Sequence, residues 1–338
     1  MKALVCKAPG IFEFEDREVP AMSDGQAIIR IERIGVCGTD LHAFEGTQPF
    51  FNYPRILGHE LSGELLEIDE TGDFKTGDKV TFVPYFPCGR CIACRMGNIN
   101  CCVNIKGAGV HIDGGMTEFI SVPVGALVKG YDLDFDMLAL VEPFSIGAHA
   151  VKRAAVKKDE FVLVTGAGPI GLAAMEMARI AGGQIIAMDI VGQRLAFCRD
   201  VLKIEYIVNA LKDPDEQLKE ITKGDWPTVI IDATGNRNAI MKSFTRLANG
   251  GRIVMLGIQG EEISFSHPEF HKRETTLMSS RNAFKSDFEF VIKCMADDLL
   301  KASSYITHKM KLTNLKDEFN KLLDPGSGVI KAIVEMDL

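Results

Sequence analysis

The sequence predicts an α/β protein with two abutted domains. Three observations carry this. The 338-residue length suits about two domains, each with enough apolar material (46% of residues) for its own core. Residues 1 to about 146 read as mostly β. From about 147, strand-like and helix-like segments alternate, which means βαβ units and a parallel sheet.

In the first part, QAIIRIERIGVC reads as a strand. ELSGELLEID and GDKVTFVPYF read as two more, separated by the turn signal ETGDFKTGD. HIDGGMTEFISVP places Asp-Gly-Gly ahead of a β-rich run and predicts a turn into a strand. IGAHAVKRAAV then predicts a helix, EFVLVTGAG a buried strand, PIGLAAMEMARIAG a helix and QIIAMDI a second strand. RLAFCRDVL, TVIIDATG, RNAIMKSFTRLANGG and RIVMLGI continue the alternation. After about 285 the character changes again, with helices in DFEFVIKCMADDLL and LKDEFNKLL and a last strand in VIKAIVEM.

Charge and hydropathy exclude several classes. A net charge of -8 without a basic block opposes a nucleic-acid partner, which needs clustered Lys and Arg. No apolar run reaches the ~18 residues of a membrane span, and the N-terminal stretch does not read as a signal peptide. The expectation is a cytoplasmic protein. In a reducing compartment a cysteine cluster points to metal or catalysis rather than disulfides.

Five of the nine cysteines lie in FPCGRCIACRMGNINCC, residues 86–102. A closed structural zinc site takes four tetrahedral ligands, often all thiolate. Cys88, Cys91 and Cys94, spaced C-x-x-C-x-x-C, supply three. Cys101 or Cys102 supplies the fourth, and spacing does not choose between them. Cys6, Cys198 and Cys294 sit in apolar stretches and read as core.

Gly166, Gly168 and Gly171 form G-x-G-x-x-G between a strand and a helix that opens with Pro169 and Ile170. The glycines allow the tight turn, close approach to a pyrophosphate and close helix–strand packing, and the helix N-terminus offers free N–H groups. Asp189 follows at the end of the next strand, where a carboxylate accepts ribose hydroxyls and repels a 2′-phosphate. This predicts NAD rather than NADP, with Arg194 and Thr234 joining the cofactor-binding set.

A third group is dispersed. GVCGTDLH holds Cys37, Thr39, Asp40 and His42, LGHE holds His59 and Glu60, and LVEPF holds Glu142. Thiolate, imidazole and carboxylate are the set used by a catalytic zinc with one open position, but spacing alone does not assemble them.

In that order, GVCGTDLH, GHELSG, the cysteine run and GAGPIG resemble the zinc-dependent medium-chain dehydrogenase/reductase superfamily over the whole chain. VEPFSIGAHA is most similar to its polyol (sorbitol) and threonine dehydrogenase branches. The resemblance implies that residues 1–146 and 285–338 form a GroES-like catalytic domain, with a Rossmann NAD-binding domain at 147–284 and the active site in the cleft. It implies two zinc ions per subunit. Cys37, His59 and Glu60 would hold the catalytic one, with Glu142 as occasional ligand or close partner. Cys88, Cys91, Cys94 and Cys102 would hold the structural one. Thr39 would hydrogen-bond the substrate oxygen and His42 would end a proton relay, since an imidazole can take up and release a proton where a threonine hydroxyl cannot act as a base. A homodimer or homotetramer is implied too.

The resemblance also bears on substrate. Arg281 lies in TTLMSSRNAF, where the superfamily's chain returns to the catalytic domain beside the nicotinamide, and polyol dehydrogenases carry an arginine in a similar stretch. A guanidinium fork holds hydroxyls or a carboxylate. The expected reaction is oxidation of a secondary hydroxyl of a polyol or sugar acid. Threonine oxidation, or a non-catalytic binder on this fold, are the alternatives.

Overall fold

The computed structural model describes residues 1–48, 51–68 and 72–338. The chain divides into two compact units, Met1–Glu142 with Phe284–Leu338, and Pro143–Ala283. It passes from the first to the second inside the helix Val141–Ala154, slightly ahead of the break expected at 146. That helix starts five residues earlier than IGAHA suggests, because Pro143 sits in its first turn, where the missing N–H costs nothing.

The first unit is built on a mostly antiparallel sheet. Its strands run in the order Leu127–Lys129, Lys79–Phe82, Glu60–Ile68, Gln26–Val36, Lys331–Glu335 and Ile306–Lys311, and Phe119–Pro123 also pairs with Gln26–Val36. Gln26–Val36 alternates its burial only in part, because several of its residues face the core from a bulged strand. Glu70 and Thr71 of the expected turn, and Asp69 before it, lie outside the described residues. The chain's C-terminal return is structural: Lys331–Glu335 pairs antiparallel with Gln26–Val36, Ala332 opposite Val36 and Ile333 opposite Gly35. On the other side Gly35 faces Glu60. This register draws residues 35–37, 60 and 331 together from distant parts of the sequence.

Helix Leu312–Leu323 buries Leu312, Leu315, Phe319 and Leu322. Phe319 closes an aromatic triad with Phe12 and Phe44, ring centroids 4.9–5.1 Å apart. Burying each such ring contributes roughly 2–3 kcal/mol. Phe12 comes from an N-terminal hairpin, Lys2–Ala8 with Ile11–Asp16, which the sequence reading did not anticipate.

The second unit carries six parallel strands in the order Tyr206–Asn209, Gln184–Asp189, Phe161–Thr165, Val229–Asp232, Arg252–Met255 and Thr276–Ser279. This is the doubly wound arrangement, reversing direction beside Phe161–Thr165. The central strands are buried on both faces, hence their continuous apolar runs. No helix among the described residues is long and apolar enough to cross a membrane.

Candidate active site

In the second unit the parallel register places every strand's carboxyl end on one edge. Thr165 stands opposite Asp232 and Met188, Asp189 opposite Asn209, and Met255 opposite Ser279. Gly166, Gly168, Asp189, Thr234 and Arg281 all follow on this edge, where open α/β sheets bind ligands. Gly168 caps the helix Pro169–Ile180, which opens with Pro169 and Ile170.

The glycines differ in what they permit. A Cβ on Gly171 would lie 1.8 Å from the Gly166 carbonyl oxygen, so helix–strand packing demands glycine there. A Cβ on Gly168 would meet only Arg194 Nη1, at 3.9 Å. Packing of the protein does not demand Gly168; it leaves an open cradle above the helix N-terminus, which fits a dinucleotide pyrophosphate. Asp189 is buried, its carboxylate accepting from Ala167 N at 2.6 Å and Val191 N at 2.8 Å. Arg194 Nη1 stands 3.9 Å from it. The acid is thus fixed beside the glycine turn.

In the first unit, Cys37 ends the strand Gln26–Val36 and caps the helix Gly38–Glu45. Asp40 accepts from Cys37 N at 2.9 Å and from Gly58 N at 3.1 Å, tying the thiol's segment to the segment that carries His59. Sulfur of Cys37, ring nitrogen of His59 and carboxylate of Glu60 offer ligand atoms within 4.8 Å of one another. Buried His59 Nδ1 has no hydrogen-bond partner among the described residues, with Asp40 Oδ1 3.7 Å away. Burial alone would depress the His59 pKa; the negative charges of Asp40 and Cys37 outweigh it and hold it well above the usual value. A pocket that favours positive charge and combines thiolate, imidazole and carboxylate fits a zinc ion.

Glu60 is fully buried, and it has a partner that no motif announces. Lys331 donates to its two oxygens at 2.6 and 2.7 Å, and to Val36 O at 3.2 Å. Gly35 makes room: a Cβ there would lie 2.1 Å from Glu60 Oε2. Glu142 falls outside the Cys37–His59–Glu60 set. It accepts from the Tyr85 hydroxyl, and burial pushes its carboxyl up to about 7. Tyr85, like Lys331, carried no motif. Thr39 and His42 share one helix at i,i+3 spacing and so lie on the same face. His42 is exposed; its Nδ1 lies 3.2 Å from Thr47 Oγ1 and 3.5 Å from Glu45 Oε2.

The cysteine run forms the other donor set. Cys88, Cys91, Cys94 and Cys102 bring their sulfurs within 4.8 Å of one another, whereas Cys101 is exposed and outside the group. Cys91 Sγ and Cys94 Sγ are 3.5 Å apart. Four sulfurs at Zn–S distances of ~2.3 Å have tetrahedral edges of about 3.8 Å, so the set fits zinc. Backbone N–H groups of Cys88 and Asn104 point at Cys102 Sγ at 3.2 and 3.4 Å. Backbone donors from Cys94 and Val103 pull the Cys91 thiol down to about 6, while burial and its thiol neighbours push Cys94 up to about 12. Cys6, Cys198 and Cys294 are buried in the cores, as expected.

A β-rich unit with two thiolate-bearing donor sets, joined to a dinucleotide-type parallel sheet, defines the zinc-dependent, alcohol-type dehydrogenases. The chain belongs to the zinc-dependent medium-chain dehydrogenase family: residues 23–132 match the alcohol dehydrogenase GroES-like domain and residues 169–297 the zinc-binding dehydrogenase domain. It is an oxidoreductase acting on CH–OH groups. Among its relatives is the L-galactonate-5-dehydrogenase of Escherichia coli K12, 40% identical over 99% of this chain and 98% of that one. The sorbitol dehydrogenase of Halalkalibacterium halodurans is 31% identical over 93% of each. A crystal structure of an E. coli CFT073 alcohol dehydrogenase (rspB) with NADH superposes with a TM-score of 0.92, at 27% identity over 99% of both chains.

Proposed function

We propose that the protein oxidises a secondary hydroxyl of a sugar acid or polyol to a ketone, using NAD and two zinc ions per subunit, with L-galactonate the first substrate to test. The observation that carries the chemistry is the Cys37–His59–Glu60 donor set, beside a second, closed four-cysteine set. The relation to an L-galactonate-5-dehydrogenase across nearly the whole chain supports the substrate class. When bound, zinc supplies Lewis acidity that lowers the pKa of an alcohol, and NAD supplies the hydride acceptor.

The chain's own residues do the rest. Asp40 fixes Cys37 and faces His59, so both keep one orientation. Lys331 neutralises Glu60 and restrains its carboxylate. Thr39 holds the substrate hydroxyl by a hydrogen bond and directs its proton. Exposed His42, on the same helix face, hands that proton to water. Asp189 accepts the ribose hydroxyls and disfavours a 2′-phosphate. Arg281, on the carboxyl edge of the parallel sheet, pairs with the carboxylate or terminal hydroxyls of the substrate.

The test is a substrate screen that follows NADH absorbance. Aldonates and sugar alcohols should be oxidised with NAD, and short-chain alcohols poorly. Preferred turnover of ethanol or threonine would overturn the substrate class and leave the cofactor reading intact.

A further inference from the structure

One buried charge in the second unit takes no part in the chemistry above. Asp232 is 0% exposed, at the carboxyl end of Val229–Asp232. Its carboxylate accepts from Thr165 Oγ1 at 2.7 Å, Thr234 N at 3.1 Å and Thr234 Oγ1 at 2.9 Å. These partners are all uncharged. A neutral serine or asparagine would cap the turn after this strand at lower desolvation cost. A buried carboxylate held only by dipoles calls for another reason.

The reason lies in what meets at this residue. Loops from three adjacent strands touch backbone to backbone around it. A Cβ on Gly166 would lie 3.1 Å from the Ala233 carbonyl carbon and from Thr234 Cγ2. A Cβ on Gly257 would lie 2.3 Å from Gly235 N. The Asp232 carbonyl accepts from Leu256 N and Gly257 N at 2.8 and 3.0 Å, and Ala233 N donates to Thr165 O at 2.8 Å. Asp232 therefore binds the strand end that precedes Gly166 through its side chain, the 233–235 turn through both Thr234 donors, and the 256–257 turn through its main chain. Such contacts leave little slack. A shift of the 233–235 turn is passed straight to the glycine loop.

We infer that Asp232 is a positioning residue for dinucleotide binding, holding the 233–235 turn against the glycine loop so that the loop keeps its phosphate-binding shape. It touches no ligand itself. The inference rests on the dinucleotide reading of the Gly166–Gly171 loop. A carboxylate accepts from all three donors at once. An amide that keeps its oxygen on the Thr234 donors turns its NH2 toward Thr165 Oγ1, so that contact survives only with its direction reversed and the hydroxyl proton displaced.

Fluorescence titration of the full-length, zinc-loaded protein with NADH tests this. Asp232→Asn should raise the Kd for NADH about tenfold and raise the KM for NAD in step. The KM for the sugar substrate at saturating NAD, and the zinc content, should stay within twofold. Thr165→Val should shift the Kd in the same direction, and Thr165→Ser, which keeps the hydroxyl, should restore it. That valine–serine pair also decides the matter if Asp232→Asn does not fold. A lowered melting temperature with an NADH Kd within twofold of the parent would overturn the inference, as would equal Kd values for the two Thr165 variants. A parent protein that binds neither NADH nor NADPH would overturn both the inference and the dinucleotide reading beneath it.

Discussion

Lys331, from the last strand of the chain, donates to both carboxylate oxygens of Glu60, and both side chains are buried. The pair is separated by 271 residues in sequence and joined by one register, Glu60 beside Gly35 beside Ile333. Removing one partner of such a pair leaves an uncompensated buried charge, which costs about 3–5 kcal/mol. Lys331→Met should therefore destabilise the first unit by about 3 kcal/mol in urea unfolding. Adding Glu60→Gln should recover part of that loss, because no bare carboxylate remains. A single-variant loss under about 1 kcal/mol, or full additivity in the double variant, would show that the pair is not energetically coupled.

The two donor sets should respond differently to loss of a thiol. Cys88→Ser opens the four-sulfur set; a metal held there would contribute directly to folding, so soluble yield and melting temperature should both fall. Cys37→Ser should abolish turnover while NADH binding and melting temperature stay near the parent. Metal analysis should find one zinc fewer per chain in each variant. Activity retained in both would sink the zinc assignments.

How much of this was legible in the sequence depends on the distance over which a signal acts. The cysteine spacing, the glycine loop and Asp189 are local patterns, and the structure brings each group together much as the motif suggests. The parallel sheet was legible because strands buried on both faces leave unbroken apolar runs. Lys331 and Tyr85 were not legible, since each meets its carboxylate only through pairing across the sheet or between separate segments. A lysine in a strand reads as an exposed residue until the opposing acid is known. The N-terminal hairpin was missed for a similar reason: KALVCKA and IFEFED are short, and only packing of Phe12 on Phe44 and Phe319 fixes them.

Asp136 offers a pH test away from the two donor sets. It accepts from Arg33 Nε at 2.8 Å and from Lys309 Nζ, tying its helix to two strands. Burial acts to raise its pKa, but Lys309 and Arg33 outweigh burial and hold the carboxyl below the ordinary carboxylate range. A depressed pKa means that the unfolded state binds the proton more readily, so stability rises with pH through this window. The contribution is complete above the unfolded pKa of about 4 and is lost as pH falls through the folded value. Asp136→Asn should be less stable than the parent at pH 7 by about 1 kcal/mol. The gap should close as pH drops below about 4. A gap that is constant in melting temperature from pH 7 to pH 3 would rule out the ionised carboxylate as its source.

Cofactor choice should turn on Asp189. Its two backbone hydrogen bonds, to Ala167 N and Val191 N, fix a negative charge beside the glycine loop. Asp189→Ser removes the repulsion to a 2′-phosphate and leaves Arg194, now 3.9 Å from the carboxylate, free to approach one. The kcat/KM ratio of NADP to NAD should rise at least about tenfold, equivalent to 1.4 kcal/mol. An unchanged ratio would mean that Asp189 does not meet the ribose.

Arg281 carries the most specific expectation about substrate. It is exposed, two residues past the strand Thr276–Ser279, and is followed by Asn282 in the left-handed region at φ 53°. It therefore stands on the same carboxyl edge of the sheet as the glycine loop, Asp189 and Thr234. Hydrogen bonds between charged partners contribute about 1.5–3 kcal/mol each, so losing the arginine's grip on a carboxylate should raise KM by roughly tenfold to a hundredfold. Arg281→Ala should show that rise for the best aldonate, with the KM for NAD changed less than twofold. Arg281→Lys should recover only part of the loss, because an ammonium keeps the charge but not the planar fork. Comparing an aldonate with the matching sugar alcohol isolates the carboxylate, and the Arg281→Ala penalty should be larger for the acid. Equal penalties would assign Arg281 to hydroxyl recognition, and kinetics identical to the parent on both would remove it from the substrate site.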